Sequence, residues 1–487
     1  MNSLSASVHL LQKYNIPIKP QYIDTIIKYN DKIILDTITI SQINIVQLFD
    51  YDIICPSDIK SITNVYFDKN RAREKQIKLK FGGKYYYSKP IERFAPITNN
   101  MQLCKNKFKF ESNTYTYAKN DYDLANYVFE KLKDHVNIYK LNIDAVGSKK
   151  WSHIANVTNI SQGIIFNIKN RFNIDVTRVF VKMYELLVEF NLIDITQDTI
   201  KTFHACEAPG HFINATNHYV KSHNPKVIFD WHANTLNPES EYVRKELGKD
   251  YFEDDYGYIS KYKNRWLFGE DDTGDIRKKE NILSFKKKFN YGIDLFTSDC
   301  GLGSTTKYDF YNQEIKNSKL CFSQCLIALE TVRIGGNALF KVYTPFSEVS
   351  TLSTIFLMMK HFEFIYFVKQ LTGGPENSEV YIVGKNKLKH LDEDMERYLF
   401  DCLANYDPKL ALFPFGIYNK YFVMQMEKIT EKFLDRQIKN LVRTFYYVDN
   451  EDKFKAHNQL FVDAKLAYSQ NWISNMKFAS IEHILQL

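Results

Sequence analysis

An α/β fold is predicted: a three-layer sandwich in the middle of the chain, with a mixed α/β or β-rich module before it and a helical part after it. Three observations carry the prediction. Between residues 160 and 389, β-like runs alternate with helical patterns, as expected of a sheet covered by helices on both faces. The phrase FHACEAPGHF at residues 203–212 is an apolar lead-in that breaks at Ala208-Pro209-Gly210, and a strand ending at such a turn leaves backbone N–H groups facing a ligand at the sheet's edge. Beyond residue 389 the pattern becomes helical, most clearly over 392–406 and 421–445.

Composition sets the frame. A chain of 487 residues exceeds one ordinary core. The expected division is a module at 1–120, a helical connector at 121–159, the core at 160–389 and an extension at 390–487. With 45% hydrophobic and 25% charged residues, the balance excludes a disordered or membrane chain. The longest apolar run, residues 354–359, is far short of the roughly 18 residues a spanning helix needs. No basic-then-apolar signal opens the sequence, so an intracellular, cytoplasmic protein is expected. Seven cysteines without paired CxxC units argue against a disulfide framework and a zinc module, so reduced thiols and no metal site are expected. Cys321 and Cys325, four apart on an expected helix, read as packing. A net charge of +7 permits an anionic partner without requiring one.

The elements follow in order. Short β-like runs at 32–40 and 76–81 belong to the N-terminal module, and Leu124, Val128 and Leu132 give 122–135 a helical spacing. In DVTRVFVKMYELLVEF, residues 175–190, Val176, Val179, Phe180, Met183 and Leu187 form the expected buried stripe. Lys182 lies off that stripe near Glu185, where a solvated or paired lysine would be ordinary. KVIFD ends a strand at Asp230, and IDLFTSD ends another at Asp299. Gly335-Gly336 reads as a tight turn into ALFKVY, whose Lys341 interrupts an apolar strand. Burying that ammonium is costly unless it is paired or its pKa falls. If FIYFVK and EVYIVG pair antiparallel, the first residue of the second run, Glu379, returns to the edge holding Asp299 and Lys341.

On the cofactor side, Asp230 follows the Pro-Gly turn by about twenty residues, the spacing at which an acid accepts both hydrogen bonds of a ribose diol. G-x-G-x-x-G is missing, so a pyrophosphate cofactor fits poorly and a nicotinamide-dependent oxidoreductase is disfavoured. S-adenosylmethionine, which has no pyrophosphate, fits better. WLFGEDDTGDI at 266–276 adds an acidic turn, and Asp275 after Gly274 is the candidate for the adenine amino group.

VFVKMYELL, CEAPGHF, TSD, FKVY and SEVYIVG together resemble the successive motifs of FtsJ-like ribose 2′-O-methyltransferases, with their Lys-Asp-Lys-Glu tetrad. Carried over, the tetrad is Lys182, Asp299, Lys341 and Glu379. WLFGEDDTGDI further resembles the Adrift-type, cap-specific mRNA branch, virus-encoded members included. The resemblance implies a Rossmann-like, S-adenosylmethionine-dependent sandwich with a mixed sheet whose last strand is antiparallel. It implies cofactor contacts from Cys206, Glu207, Pro209, Gly210, His211, Phe212, Asp230, Asp275 and Asp299, a capped mRNA substrate, other capping enzymes as partners, and the host cytoplasm or a virion as location. The family's APGG is APGH here, with His211 for the second glycine, and Cys206-Glu207 stand where small residues are common. The implied chemistry is direct transfer to a ribose 2′-oxygen while Lys341 takes the hydroxyl proton. A free lysine has a pKa of about 10.4; Lys182 and burial push Lys341 down, whereas Asp299 and Glu379 push it up. A noncatalytic RNA-binding scaffold of a capping complex is the alternative, and the complete tetrad argues against it.

KNRAREKQIKLKFGGKYYYSK, residues 69–89, carries one acid among its cations and ends in tyrosines. Lys78, Lys80, Lys84, Tyr85 and Tyr86 are the candidates for single-strand RNA contact; edge lysines on a solvated hairpin are the other reading. If the patch binds RNA, Lys78→Glu with Lys80→Glu weakens binding and flattens its salt dependence in a filter-binding titration. Unchanged binding returns the patch to the hairpin reading.

Overall fold

The apolar runs pair into one mixed sheet. The computed structural model describes residues 101–102 and, within 133–487, all but parts of 134–147 and the stretches 248–253, 255–256, 304–310, 371, 409–410 and 414–419. Lys78, Lys80, Lys84, Tyr85 and Tyr86 lie outside the described residues. Contacts gather into two units, residues 134–164 with 435–471, and residues 165–434 with 472–487.

The strands are β1 (Met101–Gln102), β2 (Thr199–Ala205), β3 (Ile228–Ala233), β4 (Ile293–Ser298), β5 (Val332–Tyr343), β6 (Phe362–Val368) and β7 (Glu379–Lys387), in the order β1-β6-β7-β5-β4-β2-β3. β3, β2, β4 and β5 run parallel, while β7 is antiparallel to both β5 and β6. This is the Rossmann-like sheet with a reversed last strand that the sequence predicts. Parallel strands joined by crossover helices are buried on both faces, which is why their sequences read as nearly continuous apolar runs.

One face packs on α5 (Lys279–Phe289), α6 (Gln313–Thr331), α7 (Val349–His361) and α8 (Glu393–Ala404). Ile282, Phe285, Phe322, Leu326, Ile355 and Leu399 from these helices join Phe203, Phe296 and Phe340 of the strands in one core. The other face packs on α3 (Arg178–Phe190) and α4 (His211–His223). Thr177 caps α3 by accepting the Phe180 N–H at 3.2 Å, a start signal of the expected kind. The extension is helical as expected, with Asp392 capping α8 and the long helix α9 (Lys420–Asp449) after it. No helix among the described residues is long and apolar enough to cross a membrane.

Three local expectations are corrected. β3 does not end at Asp230 but continues to Ala233. Gly335-Gly336 is no turn: residues 333–336 of β5 stand opposite the single residue Asp294 of β4, a bulge inside a continuous strand. A bulge needs one strand to accommodate extra residues, and Gly335 at φ 82 does so. α3 is buried on more than one stripe, from Phe180 through Leu187, because the sheet, α4 and the rings of Trp472 and Phe478 all pack on it, so Lys182 is not solvated.

Phe296 is fully buried at the centre of the sheet, its ring 5.8 Å from that of Phe203. Phe296→Ala should therefore destabilise this unit by about 3 to 5 kcal/mol, and Phe296→Leu by clearly less, in urea titrations followed by circular dichroism.

Candidate active site

Register places the chemistry. Ala205 pairs with Ser298, and Ser298 with Phe340. One residue further toward the carboxyl edge stand Cys206, Asp299 and Lys341, and Lys341 faces Tyr381 across the antiparallel pair. Glu379, the first residue of β7, lies opposite Tyr343. Ligands of open α/β sheets bind outside this carboxyl edge.

Four predicted residues meet there. The Lys341 ammonium is 3.1 Å from Asp299 Oδ1, and Lys182 forms an ion pair with Glu379 Oε1. Lys182 is 6% exposed, a burial that a lone ammonium would not tolerate. It reaches the edge from α3 because its backbone carbonyl is held by the Gln370 side chain at 2.6 Å. Between the pairs stands Tyr381, whose hydroxyl donates to Asp299 Oδ1 at 2.7 Å and lies 3.4 Å from Glu379 Oε1 and 3.5 Å from Lys182 Nζ. Lys369 supports Glu379 from behind, donating to its backbone carbonyl at 2.7 Å.

The charges set each other's protonation. For Glu379, burial works upward, but the ammoniums of Lys182, Lys341 and Lys369 outweigh it and hold the carboxyl well below the usual carboxylate range. For Lys341, burial works downward, yet Asp299, Tyr343 and Glu379 outweigh it and hold the ammonium above the ordinary lysine value. The contest left open by the sequence is won by the carboxylates.

The turn after β2 is built as an anion-facing corner. Glu207 donates its N–H to Asn234 O at 3.0 Å and accepts the Gly210 N–H on its own carbonyl at 2.7 Å. Its carboxylate turns inward and accepts the N–H groups of Phe212 and Ile213 at 2.6 and 3.0 Å, capping α4. Gly210 has φ 117, and a Cβ there would come within 2.4 Å of the Tyr258 ring, so only glycine fits. His211 begins α4 with ordinary helical backbone, so position 211 has no conformational need for glycine. Phe212 is buried, its ring 6.3 Å from that of Tyr381, which joins the turn to the tetrad.

The remaining cofactor candidates are placed differently. Asp230 is in mid-strand with its carboxylate 2.9 Å from Arg265, and the residue that follows the end of β3 is Asn234. The Asn234 carboxamide donates to Leu267 O at 2.8 Å and Gly274 O at 3.1 Å, while its Oδ1 is buried with no hydrogen-bond donor. Asp275 is nearly buried and held by Arg277 at 2.7 to 3.2 Å, so burial works its carboxyl upward but Arg277 wins and lowers it. The expectation of reduced thiols is corrected at this edge: Cys206 and Cys300 form a disulfide. The sequence separates them by 94 positions, and only the parallel pairing of β2 and β4 brings them together. Cys321 and Cys325 are buried free thiols on α6, as packing predicts. Tyr381, Asn234 and Lys369 went unremarked in the sequence; the period-2 rule, which puts Tyr381 on the same strand face as Glu379, could have found the first.

The chain is similar to known proteins. The model of the family described as FtsJ-like methyltransferase matches residues 176–387. The chain is 29% identical to "Uncharacterized protein L511" of Acanthamoeba polyphaga mimivirus over 82% of this chain and 53% of that protein. It is 30% identical to "Probable methyltransferase EP424R" of African swine fever virus (Warthog/Namibia isolate) over 66% of this chain and 76% of that protein. It is 26% identical to "Cap-specific mRNA (nucleoside-2'-O-)-methyltransferase 2" of Drosophila melanogaster over 67% of this chain and 47% of that protein. The chain thus spans about half the length of the mimivirus and fly relatives.

Burial pushes the Glu207 carboxyl up to about 8, and the Asp299 carboxylate adds in the same direction, against the N–H bonds it accepts. A carboxyl raised in the folded state binds its proton more tightly than in the unfolded chain, so its contribution to stability declines as pH rises from about 4.5 to about 8. Glu207→Gln should remove that part of the wild-type fall in melting temperature between pH 5 and 8, measured by scanning fluorimetry.

Proposed function

We propose, for a chain that belongs to the FtsJ-like methyltransferase family, that it is an S-adenosylmethionine-dependent RNA ribose 2′-O-methyltransferase acting on a cap-proximal nucleotide of mRNA. The observation that carries this reading is the convergence of Lys182, Asp299, Lys341 and Glu379 at the carboxyl edge, beside the 206–210 turn. The cap-specific ribose methylation named for the fly relative supports the cap-proximal ribose as acceptor.

The residues present fit the cofactor. Asn234 Oδ1 is a buried acceptor without a donor, suited to an amino or hydroxyl group of the adenosine end. Asp299 offers negative charge toward a sulfonium, as do the backbone and side chains of Cys206, Glu207, Pro209, Gly210, His211 and Phe212 a wall for the methionine end. Asp275 contributes through the turn that holds Asn234, whereas Asp230 is committed to Arg265. When bound, S-adenosylmethionine supplies the electrophilic methyl group.

The chain's own residues then handle orientation and the proton. Lys341 is the base for the ribose 2′-hydroxyl, and it works in the fraction of molecules whose ammonium has lost its proton. Because the carboxylates hold that proton on, the rate is limited by this fraction near neutrality. Lys182 and Glu379 are held against each other and against Tyr381, which fixes the position of the hydroxyl relative to Lys341. Alignment of reactants contributes on the order of 7 to 11 kcal/mol in favourable cases, more than one proton transfer supplies.

Methyl incorporation into a capped transcript, with the modified nucleotide mapped after nuclease digestion, tests the activity; absence of a 2′-O-methyl product rejects it. Lys341→Arg keeps the charge but cannot give up its proton. It should reduce transfer by about 100-fold or more while S-adenosylhomocysteine binding stays within about twofold by calorimetry, and wild-type transfer should rise with pH into the alkaline range. Turnover by Lys341→Arg above a tenth of wild type would remove Lys341 as the base.

A further inference from the structure

We infer that Cys206 and Cys300 form a reversible thiol–disulfide site at the cofactor edge, whose oxidation fastens the cofactor turn to the strand end carrying Asp299. The inference rests on reading this edge as the S-adenosylmethionine site. The bond joins the ends of the neighbouring parallel strands β2 and β4, with Cα atoms 5.2 Å apart, within the usual span of a disulfide.

Position separates this pair from the other cysteines among the described residues. Cys206 opens the turn in a left-handed conformation, φ 54, and is followed by Glu207, which ties the turn to Asn234 and to the first N–H groups of α4. Cys300 directly follows Asp299, whose carboxylate receives both Tyr381 and Lys341. Paired strand register ends at Ala205 and Ser298, one residue before Cys206 and two before Cys300. Beyond that row the disulfide is the covalent tie between the two segments, and the segment it spans includes β3 and the 266–276 turn. Closing so long a loop removes much freedom from the opened chain, and an ordered turn binds more tightly than one that must be ordered on binding.

Access is uneven. Cys300 is 2% exposed, whereas Cys206 is only partly buried, so exchange enters at Cys206 Sγ. Cys321 and Cys325 are buried free thiols, and they provide unreactive references within the same protein. The chemistry balances with a low-molecular-weight disulfide as oxidant. The two cysteine thiols give up two protons and two electrons as the Sγ–Sγ bond forms, and the S–S bond of glutathione disulfide breaks to yield two glutathione thiols. Reduction by a thiol runs the same exchange backward.

The test uses the full chain equilibrated in glutathione buffers from reducing to oxidising, trapped by alkylation and mapped by mass spectrometry, with S-adenosylhomocysteine affinity and melting temperature measured at each poise. Cys206 and Cys300 should be protected together in oxidising buffer and alkylated together in reducing buffer. The reduced protein should bind S-adenosylhomocysteine about tenfold more weakly and melt about 5 °C lower, and Cys300→Ser should match reduced wild type at every poise. Alkylation of both cysteines at every poise overturns the site. A disulfide that forms and breaks with no change in affinity overturns its hold on the cofactor turn. Failure to bind S-adenosylhomocysteine at any poise, with the disulfide still forming, instead defeats the cofactor reading and the coupling built on it.

Discussion

Two ammonium groups and two carboxylates, Lys182 buried and the others partly so, meet at one edge of the sheet, and neither sign could stay there alone. Lys182 is held by Glu379, Lys341 by Asp299, and the Tyr381 hydroxyl stands between the pairs. Removing charge from water is costly, and the cost is offset only when every charge has a partner and the remaining hydrogen bonds are satisfied. The constraint reaches outward. α3 must lie flat against the sheet to bring Lys182 in, the Gln370 amide must hold its backbone, and Lys369 must close the loop behind Glu379.

The mixed sheet is what makes such a cluster available. Parallel strands deliver Cys206, Asp299 and Lys341 to one edge because each ends in the same direction. One more parallel strand would deliver its last residue, but reversed β7 delivers its first, Glu379, and two positions on, Tyr381 on the same face. The same edge gathers the Pro-Gly turn, whose helix is capped by Glu207 in place of a ligand's negative charge. A carboxyl there is unusual company for Asp299, whose charge raises the cost of ionising Glu207.

The disulfide belongs to this edge as well. It lies where strand pairing stops and the turn begins, so it constrains the segments whose geometry backbone hydrogen bonds no longer set. The helices on the Phe296 face need no such tie, since apolar burial holds them.

Much of this was legible from residues alone. Lys341 drew attention as a charge inside an apolar strand, Asp299 and Glu379 as acids at strand ends, and the alternation of runs predicted the sheet, while its antiparallel return came with the family resemblance. These are local signals, set by the period of a strand and by the cost of burying charge. Lys182 was recognisable only by its place in the ordered motifs, because helical periodicity put it off the buried stripe; burial on a second side came from α4 and the sheet. Asp230 stands in mid-strand and Asn234 after the strand's end, because where a strand stops depends on its neighbours' pairing, not on its own composition. Cys206 with Cys300, and Tyr381 with both ion pairs, are contacts between segments far apart in the chain. Strand order and register alone bring them together, and no local pattern encodes either.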